Sequence, residues 1–260
     1  MPQKDQGLLE KGLQGLRSAA DVATLLVAVP LNELLIWLFA PDGRQPLHDP
    51  YQYPWVKDLE ANWEKMAAEL ETVLDLTAKD ALPSMRDFLF YNSKSTETLG
   101  NWKLFIFRFY GHEFQENLER CPETAKLVSA VPNSVGMMFS VLNAKQNIYK
   151  HRGFLKGILR LHIGLKVPDE ALCGFKVGGQ TVHWKEGKSF MFDQCYMHEA
   201  WNESDGVRIV LLLDILRPLP YPLDRFNRWV VNKFGNSVVS QRMADMVEGW
   251  TRRAAKLLGR

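Results

Sequence analysis

Apolar and polar positions follow different periods in successive parts of the chain. Residues 7–40 and 55–76 repeat apolar side chains at helical spacing, and a loop rich in Pro, Gly and Asp, 41–54, separates them. Pro30 lies inside the first of these segments, so we expect that helix to break there. Residues 225–258 return to helical spacing with a basic face. The two ends of the chain are therefore predicted to be helical.

The middle of the chain has the period of two that is typical of strands. Residues 102–110 alternate and are rich in aromatic side chains, and 158–167 alternates most regularly, so that Arg160 and His162 share one face. Further strands are predicted at 135–142, 189–192 and 207–215, a hairpin at 175–184 that turns at Gly178-Gly179, and short helical segments at 84–90 and 123–130. Many short strands indicate a mainly β fold with flanking helices, a sandwich or jelly roll.

Composition narrows the class of protein. The 260 residues are 46% hydrophobic and 24% charged, which excludes disorder and repeat arrays, and a net charge of +2 gives no sign of a nucleic-acid partner. Cys121, Cys173 and Cys195 are odd in number and widely spaced. That spacing excludes a disulfide scaffold and the usual zinc motifs, and it favours a reducing, cytoplasmic location.

The two ends of the chain leave the question of a membrane open. Residues 22–40 form an apolar run that is nearly long enough to span a bilayer, but Pro30, Asn32 and Glu33 interrupt it. Three interpretations remain: packing on the domain or a partner, contact with a membrane surface, and a true span. From Arg217 onward nine Lys and Arg residues outnumber three Asp and Glu residues. The apolar segment and the basic C-terminal helices together are compatible with peripheral membrane association.

Candidate chemistry gathers near the predicted strands. His151 follows one strand, His198 follows another, and Arg208 opens the last long strand. Loops at the ends of antiparallel strands can converge at one mouth of a barrel. Two imidazoles that meet there would suit iron, zinc, copper or nickel and would leave several coordination positions open.

Two segments of the sequence resemble a known family. HRGFLKGILRLHIGLKVP (151–168) and FMFDQCYMHEAWNESDGVRIVLLLDILRP (190–218) are similar to the aspartyl/asparaginyl β-hydroxylases, which are oxygenases that use Fe(II), 2-oxoglutarate and O₂. The resemblance runs from about Tyr53 to about Pro218. It implies a double-stranded β-helix (jelly-roll, cupin-like) oxygenase domain over 55–218, preceded by a helical, apolar segment and loop over 1–54 and followed by basic helices over 219–260.

The resemblance assigns roles one residue at a time. It implies that His151 and His198 bind the iron, and that Gly153 stands where most 2-oxoglutarate oxygenases place a carboxylate ligand. We expect Gly153 to leave a gap in which water or a halide could sit.

The cosubstrate residues follow from the same resemblance. Arg208 matches the arginine that pairs with the remote carboxylate of 2-oxoglutarate, and Ser140 matches a hydroxyl that assists it. Arg160 and His162 match a pair near the chelating end of the cosubstrate. A planar guanidinium suits a carboxylate on physical grounds as well, because it donates two parallel hydrogen bonds.

One position departs from the family pattern. Members that hydroxylate acidic side chains are expected to carry an arginine two residues before Arg160, and this chain has Ile158 there. We expect Ile158 and Gly153 to line the substrate pocket. The predicted function is therefore hydroxylation of an unactivated C–H bond in a neutral or aliphatic small molecule or acyl chain. The alternatives are a peptide Asp/Asn β-hydroxylase, a halogenase that uses the open site at Gly153, and a binding module whose site has decayed.

Overall fold

The computed structural model describes residues 3–88 and 102–257, which form two antiparallel sheets with helices around them. The helices are α1 (Gln3–Phe39), α2 (Trp55–Ala61), α3 (Trp63–Ala68), α4 (Leu70–Ala78), α5 (Gln115–Arg120), α6 (Pro122–Ser129), α7 (Leu223–Gly235) and α8 (Val238–Leu257). The strands are β1 (Leu47–His48), β2 (Trp102–Phe109), β3 (His112–Glu113), β4 (Ser134–Leu142), β5 (Gln146–His151), β6 (Ile158–Lys166), β7 (Cys173–Val177), β8 (Gln180–His183), β9 (Ser189–Phe192), β10 (His198–Asn202) and β11 (Arg208–Leu216).

The two sheets face each other and enclose an apolar core. The larger has the strand order β1-β9-β6-β11-β4-β2-β3, and the smaller has the order β5-β10-β7-β8. Side chains from both sheets meet between them, among them Leu104 and Leu212 from the larger sheet and Phe175 and Ala200 from the smaller. This arrangement is a double-stranded β-helix, or jelly roll, so the predicted fold class is confirmed.

The outer face of the larger sheet carries a second core, beneath α2, α3, α4 and α6. Leu161 of β6 packs in this cluster, and so does Val56 of α2. Because neighbouring residues of a strand face opposite sides, Arg160 and His162 point the other way, into the space between the sheets. The alternation that was read from the sequence therefore decides which residues of β6 reach the interior.

Two predictions about helices are wrong, and the first concerns residues 55–76. Residues 55–76 are three short helices and not one, with breaks at Asn62 and Glu69. The carboxylate of Glu69 accepts hydrogen bonds from the backbone N–H groups of Glu123 and Thr124, at 2.8 and 2.9 Å. Glu69 thus supplies the partners that the first turn of α6 lacks, which favours an interruption of the helical run at that point.

The first helix, α1, continues through Pro30, where a break was predicted. Pro30 faces outward, while Ala28, Asn32 and Ile36 on the other side of the helix are buried. Because buried residues lie both before and after Pro30 along the helix, their packing offsets the loss of the backbone hydrogen bond that the proline ring removes. Among the described residues, Ala19–Phe39 is the one helical segment that is long and apolar enough to cross a membrane, by length and composition.

Other sequence predictions have mixed outcomes. The hairpin turning at Gly178-Gly179 is confirmed as the connection of β7 and β8, and both glycines have positive φ, at 54° and 87°. The predicted segment 84–90 is a short 3₁₀ helix at Met85–Phe88, and its last two residues lie outside the described part of the chain. The division at residues 54 and 218 stays a prediction.

Candidate active site

The two predicted metal-binding histidines face each other on neighbouring strands. His151 is the last residue of β5 and His198 is the first residue of β10, and the two are paired across the smaller sheet. Their ring centroids lie 4.2 Å apart. Sequence reasoning placed both residues next to strands, in loops, because strands as short as β5 and β10 show little alternation. In the structure, the pairing of β5 with β10 brings the two imidazoles together, and converging loops do not.

Backbone carbonyls fix the orientation of both imidazoles. Nδ1–H of His151 donates to the carbonyl oxygen of Tyr149, and Nδ1–H of His198 donates to that of Tyr196, each at 2.8 Å. These bonds leave each Nε2 with a free lone pair, which is the form in which imidazole binds a metal. Burial lowers the pKa of both rings, that of His198 to about 3 with help from repulsion by His151, so both are neutral at physiological pH.

No third protein ligand accompanies the pair. Within residues 3–88 and 102–257, no group of three or more His, Cys, Asp or Glu side chains could hold a metal ion. A metal at this point would therefore have two protein ligands. Such a metal would keep several coordination positions open for other ligands.

A side chain that the sequence analysis did not single out, Gln194, fills the space at Gly153. A Cβ atom added to Gly153 would lie 2.6 Å from Cδ of Gln194, and the backbone N–H of Gly153 donates to the Gln194 carbonyl at 2.8 Å. The gap expected for water or a halide is thus closed by a neutral amide. This contact weakens the halogenase alternative, which requires open space at that position.

Arg208 and Ser140 line a small cavity between the two sheets, which we call the inner cavity. Arg208 is fully buried at the start of β11, and its Nη1 donates to the backbone oxygen of Ser140 at 3.2 Å. Its guanidinium lies over the ring of Trp184 at 4.5 Å, and its Nε and Nη2 have no hydrogen-bond partner. Burial lowers the pKa of Arg208 to about 9, so the side chain is still charged near pH 7. A buried guanidinium with two nitrogens that lack hydrogen-bond partners could bind an anionic group such as a carboxylate.

Arg160 and His162 line the same inner cavity. Arg160 donates from Nε and Nη2 to both carboxylate oxygens of Asp214, at 2.7 Å each. His162 lies among four aromatic side chains, and its two ring nitrogens have no partner. Burial, followed by repulsion from Arg160, holds the pKa of His162 well below its usual value, so this ring is neutral. Asp214 was missed, although a lone acid within the apolar run LLLDIL of β11 was a signal that could have identified it.

The structure does not bring Ile158 to the pocket, and this prediction is corrected. Ile158 is fully buried in a cluster with Ala28 of α1, Leu155 and Val230 of α7. It is the first residue of β6, and there the face that it shares with Arg160 is covered by the two helices. Strand alternation gave the correct face, but it could not reveal which structures cover that face at the end of the strand.

A cavity of about 450 Å³ opens beside the two histidines. Its apolar walls are formed by Met85, Trp102, Leu104, Ile106, Phe109, Met138, Phe154, Leu212, Phe234 and Met243. Its polar groups are those of Tyr110, Lys150, Arg152, Gln194 and Asp214, together with the groups described above. It shares Trp102, His151, Arg160, His198 and Leu212 with the inner cavity of Arg208. A long apolar substrate could therefore reach the histidines, and a small anion could lie behind them.

A buried ion cluster holds the segment that leads to His198. Asp193 is ion-paired with Lys156 and with Arg217, each at 2.6 Å, and none of the three is more than 4% exposed. Its other carboxylate oxygen accepts the backbone N–H of Cys195 at 2.8 Å. Asp193 thereby connects the segment before β6, the residue after β11 and the turn before His198. Among the hydrogen bonds of the described residues, it makes none with either histidine.

Comparisons with known proteins show which family this chain is similar to. A family model described as aspartyl/asparaginyl beta-hydroxylase matches residues 60–218, a range that contains every candidate site residue named above. An ornithine lipid ester-linked acyl 2-hydroxylase from Rhizobium tropici is 34% identical over 216 residues, which are 83% of this chain and 75% of that protein. An aspartyl/asparaginyl beta-hydroxylase from Homo sapiens is 26% identical over 175 residues, which are 65% of this chain and 22% of the human protein. Among solved structures, a predicted oxalate decarboxylase from Thermotoga maritima matches 45% of this chain and 81% of its own, at 12% identity and a TM-score of 0.28.

Proposed function

The chain belongs to the aspartyl/asparaginyl β-hydroxylase family, and from this membership we propose that it is an Fe(II)- and 2-oxoglutarate-dependent dioxygenase that hydroxylates an acyl chain. The proposal extends to other neutral, aliphatic substrates of similar shape. Membership in a family of hydroxylases supports an enzyme. The cofactors and the acyl substrate are the parts that we propose.

The residues present fit the proposed cofactors. Nε2 of His151 and Nε2 of His198 would hold the iron, and the two unused donors of Arg208 would hold the remote carboxylate of 2-oxoglutarate. The Ser140 hydroxyl already accepts a hydrogen bond from Nε1 of Trp102 at 2.9 Å, which orients it beside Arg208. When bound, the iron and the cosubstrate supply oxidation of a C–H bond by O₂ with release of succinate and CO₂. The protein's own task is to hold one carbon of the substrate beside the histidines and to exclude water.

The apolar wall of the large cavity is the observation that carries the substrate proposal. Ten apolar or aromatic side chains line it up to the histidine pair. Arg160, which lines both this cavity and the inner one, is already ion-paired with Asp214. An aspartate side chain bound there would meet the Asp214 carboxylate, and unpaired burial of its charge would cost several kcal/mol. The cavity wall and the Arg160–Asp214 pair, and not Ile158, therefore support a neutral or aliphatic substrate.

The name of the Rhizobium tropici relative states an ester-linked acyl chain as its substrate, and this supports the same proposal. In such a lipid the polar headgroup needs a place outside the apolar wall. Lys150, within β5, and Arg152, directly after that strand, line the cavity and offer cationic groups. We place the acyl chain along the apolar wall and the headgroup at these two side chains.

The test is substrate-dependent formation of succinate from 2-oxoglutarate, measured by mass spectrometry under air with Fe(II). The panel is an ester-linked acyl lipid, a free fatty acid, and peptides that present Asp or Asn. The proposal predicts that the acyl compounds stimulate succinate formation and gain one oxygen atom, while the peptides do neither. A His198→Ala variant is the blank. Efficient hydroxylation of the peptides, with inert acyl compounds, would establish the peptide hydroxylase in its place.

A further inference from the structure

The outward side of α1 is an apolar surface that the rest of the described chain leaves uncovered. Between Ala19 and Phe39 the mean hydropathy reaches 2.0, yet only 17% of the segment is buried. Leu26 is 72% exposed, Val27 69% and Phe39 66%. The same surface, which we call the α1 outer face, consists of Val22, Leu26, Val27, Leu31, Leu34, Trp37, Leu38 and Phe39. Eight exposed large apolar side chains on one helix are unusual for a surface in contact with water.

Both ionisable side chains of residues 19–39 form ion pairs with the rest of the protein. These are Asp21, which is ion-paired with Lys233 of α7, and Glu33, which is ion-paired with Arg152 beside the cavity. Between them, Nδ2 of Asn32 donates to Oδ1 of Asn227 at 2.9 Å. These contacts hold the part of α1 between Asp21 and Asn32 against α7. A membrane-spanning arrangement would bring the ion pairs and the polar side of α7 into hydrocarbon, whereas a helix lying in the interface would not.

Cations and tryptophans border the α1 outer face. The guanidinium of Arg44 lies 4.5 Å from the ring centroid of Trp37. On α7, Arg225 is exposed and Trp229 follows it one turn later at 45% exposure. Tryptophan beside arginine at the margin of an apolar surface is the composition of a protein segment at the boundary between headgroups and acyl chains. A protein partner would not require this composition.

The same helix adjoins the mouth of the cavity. Arg152, the partner of Glu33, lines the mouth, and so does Phe154, which is 52% exposed. The ring of Phe154 packs edge-on against Phe234, whose side chain shares a cluster with Ala28 of α1. The side of α1 opposite its outer face is therefore connected to the cavity lining by an ion pair and through a shared apolar cluster.

We propose that the α1 outer face is a docking surface for a lipid bilayer with anionic headgroups, on which α1 lies in the plane of the interface and the cavity mouth opens at the membrane. The occupant is the bilayer itself. Apolar side chains would enter the acyl region, and Arg44, Arg225 and Lys150 would meet the headgroups. The proposal goes beyond the hydroxylase reaction and does not require it, because vesicle binding can be measured without iron, 2-oxoglutarate or turnover.

The test is cosedimentation of the full chain with vesicles, compared for phosphatidylcholine alone and for phosphatidylcholine with phosphatidylglycerol. Wild type should bind both kinds of vesicle, the anionic kind more tightly, and the difference should shrink in high salt. The variant Leu26→Glu/Val27→Glu should bind at least about 100-fold more weakly, since two exposed apolar side chains no longer enter the bilayer. Leu172→Glu changes an exposed leucine in the turn between β6 and β7, and it should bind as wild type does. Absence of wild-type binding to anionic vesicles at low salt would overturn the proposal.

A second copy of the chain is the rival occupant, and sedimentation velocity distinguishes it. The proposal predicts that wild type in a mild detergent is monomeric and that the double variant is monomeric without detergent. Equal vesicle binding by wild type and the double variant would show that another surface contacts the lipid. A wild-type dimer that the double variant abolishes, together with no vesicle binding by either, would assign the surface to self-association and overturn the proposal.

Discussion

Arg208 is held in a position that costs the protein stability when no anion is bound. Its guanidinium is fully buried, one nitrogen reaches Ser140, and burial lowers its pKa to about 9. Arg208→Met keeps the length of the side chain and removes the charge. Affinity for 2-oxoglutarate should fall at least about 100-fold, because breaking a buried ion pair costs roughly 3–5 kcal/mol.

Stability should respond in the opposite direction. Without 2-oxoglutarate, the melting temperature of Arg208→Met should be equal to or higher than that of wild type, since an uncompensated buried charge has been removed. Ser140→Ala should weaken 2-oxoglutarate binding by about 1 kcal/mol. Arg252→Ala on the exposed side of α8 is the control for both measurements. Equal, small losses of affinity in the Arg208 and Ser140 variants would place the remote carboxylate elsewhere.

The histidine pair has no spare protein ligand. Loss of either ring should therefore abolish Fe(II) binding, because one remaining imidazole cannot hold the metal by itself. We expect His151→Ala and His198→Ala to show no Fe(II) binding in anaerobic calorimetry. His183→Ala removes an exposed imidazole whose Nδ1 contacts only a backbone carbonyl, of Glu170, and it should bind as wild type does. Unchanged affinity in either site variant would contradict the two-histidine site.

His162 predicts a pH dependence of stability. Burial keeps its folded-state pKa well below the unfolded value of 6.5, so the folded protein binds fewer protons. The stability that this ring contributes is complete above pH 6.5 and is lost as the pH falls below that value toward the folded-state pKa. Between pH 6.5 and pH 4.5, the free energy of unfolding of wild type, measured with urea and EDTA, should therefore fall more steeply than that of His162→Phe. The difference should approach about 1.4 kcal/mol per pH unit. Parallel curves would show that His162 is protonated in the folded protein.

Sequence reasoning identified the residues whose chemistry is local and missed those whose role depends on neighbours. Arg160 and His162 share a face because a strand alternates, and that can be read from β6 alone. Gln194 and Asp214 matter because they approach Gly153 and Arg160 from other parts of the fold, Gln194 from the turn before β10 and Asp214 from β11. Ile158 has the predicted face but lies under α1 and α7, which no local pattern reveals.

At the scale of elements, the ion cluster around Asp193 holds three parts of the fold together. Asp193→Asn would leave Lys156 and Arg217 buried without that negative charge. We expect a loss of roughly 3–5 kcal/mol in the free energy of unfolding, measured with urea. Asp224→Asn, which removes a partly exposed pair with Arg228, should cost less than about 1 kcal/mol. Similar losses in the two variants would show that the cluster contributes little.

The sequence predicted the type of most elements better than their ends. Long alternating runs such as 102–110 and 158–167 gave strands, because one buried face imposes a period of two. The two short strands that carry the histidines were read as loops. The regular helical spacing of 55–76 did not indicate the break at Glu69. The Glu69 carboxylate accepts a hydrogen bond from the backbone of Glu123 in α6, which lies 54 residues away along the chain.

At the scale of the whole molecule, the jelly roll contains two neighbouring cavities of different size and polarity. The space between the sheets holds a small polar site that ends at Arg208, and the opening beside α1 and α7 holds a larger apolar cavity. The histidine pair stands where the two meet. A small anion and a long apolar substrate could therefore approach the histidine pair from different sides, as the proposed cosubstrate-driven hydroxylation requires.

The most direct test of the central claim is the fate of labelled oxygen. The full chain is incubated with Fe(II), 2-oxoglutarate and an ester-linked acyl lipid under ¹⁸O₂, and the lipid and succinate are analysed by mass spectrometry. We expect that the acyl chain gains one hydroxyl group with ¹⁸O, that succinate forms in equal amount, and that Arg208→Met loses both products together at limiting 2-oxoglutarate. Succinate formation that is independent of the lipid, with an unchanged acyl chain, would contradict it.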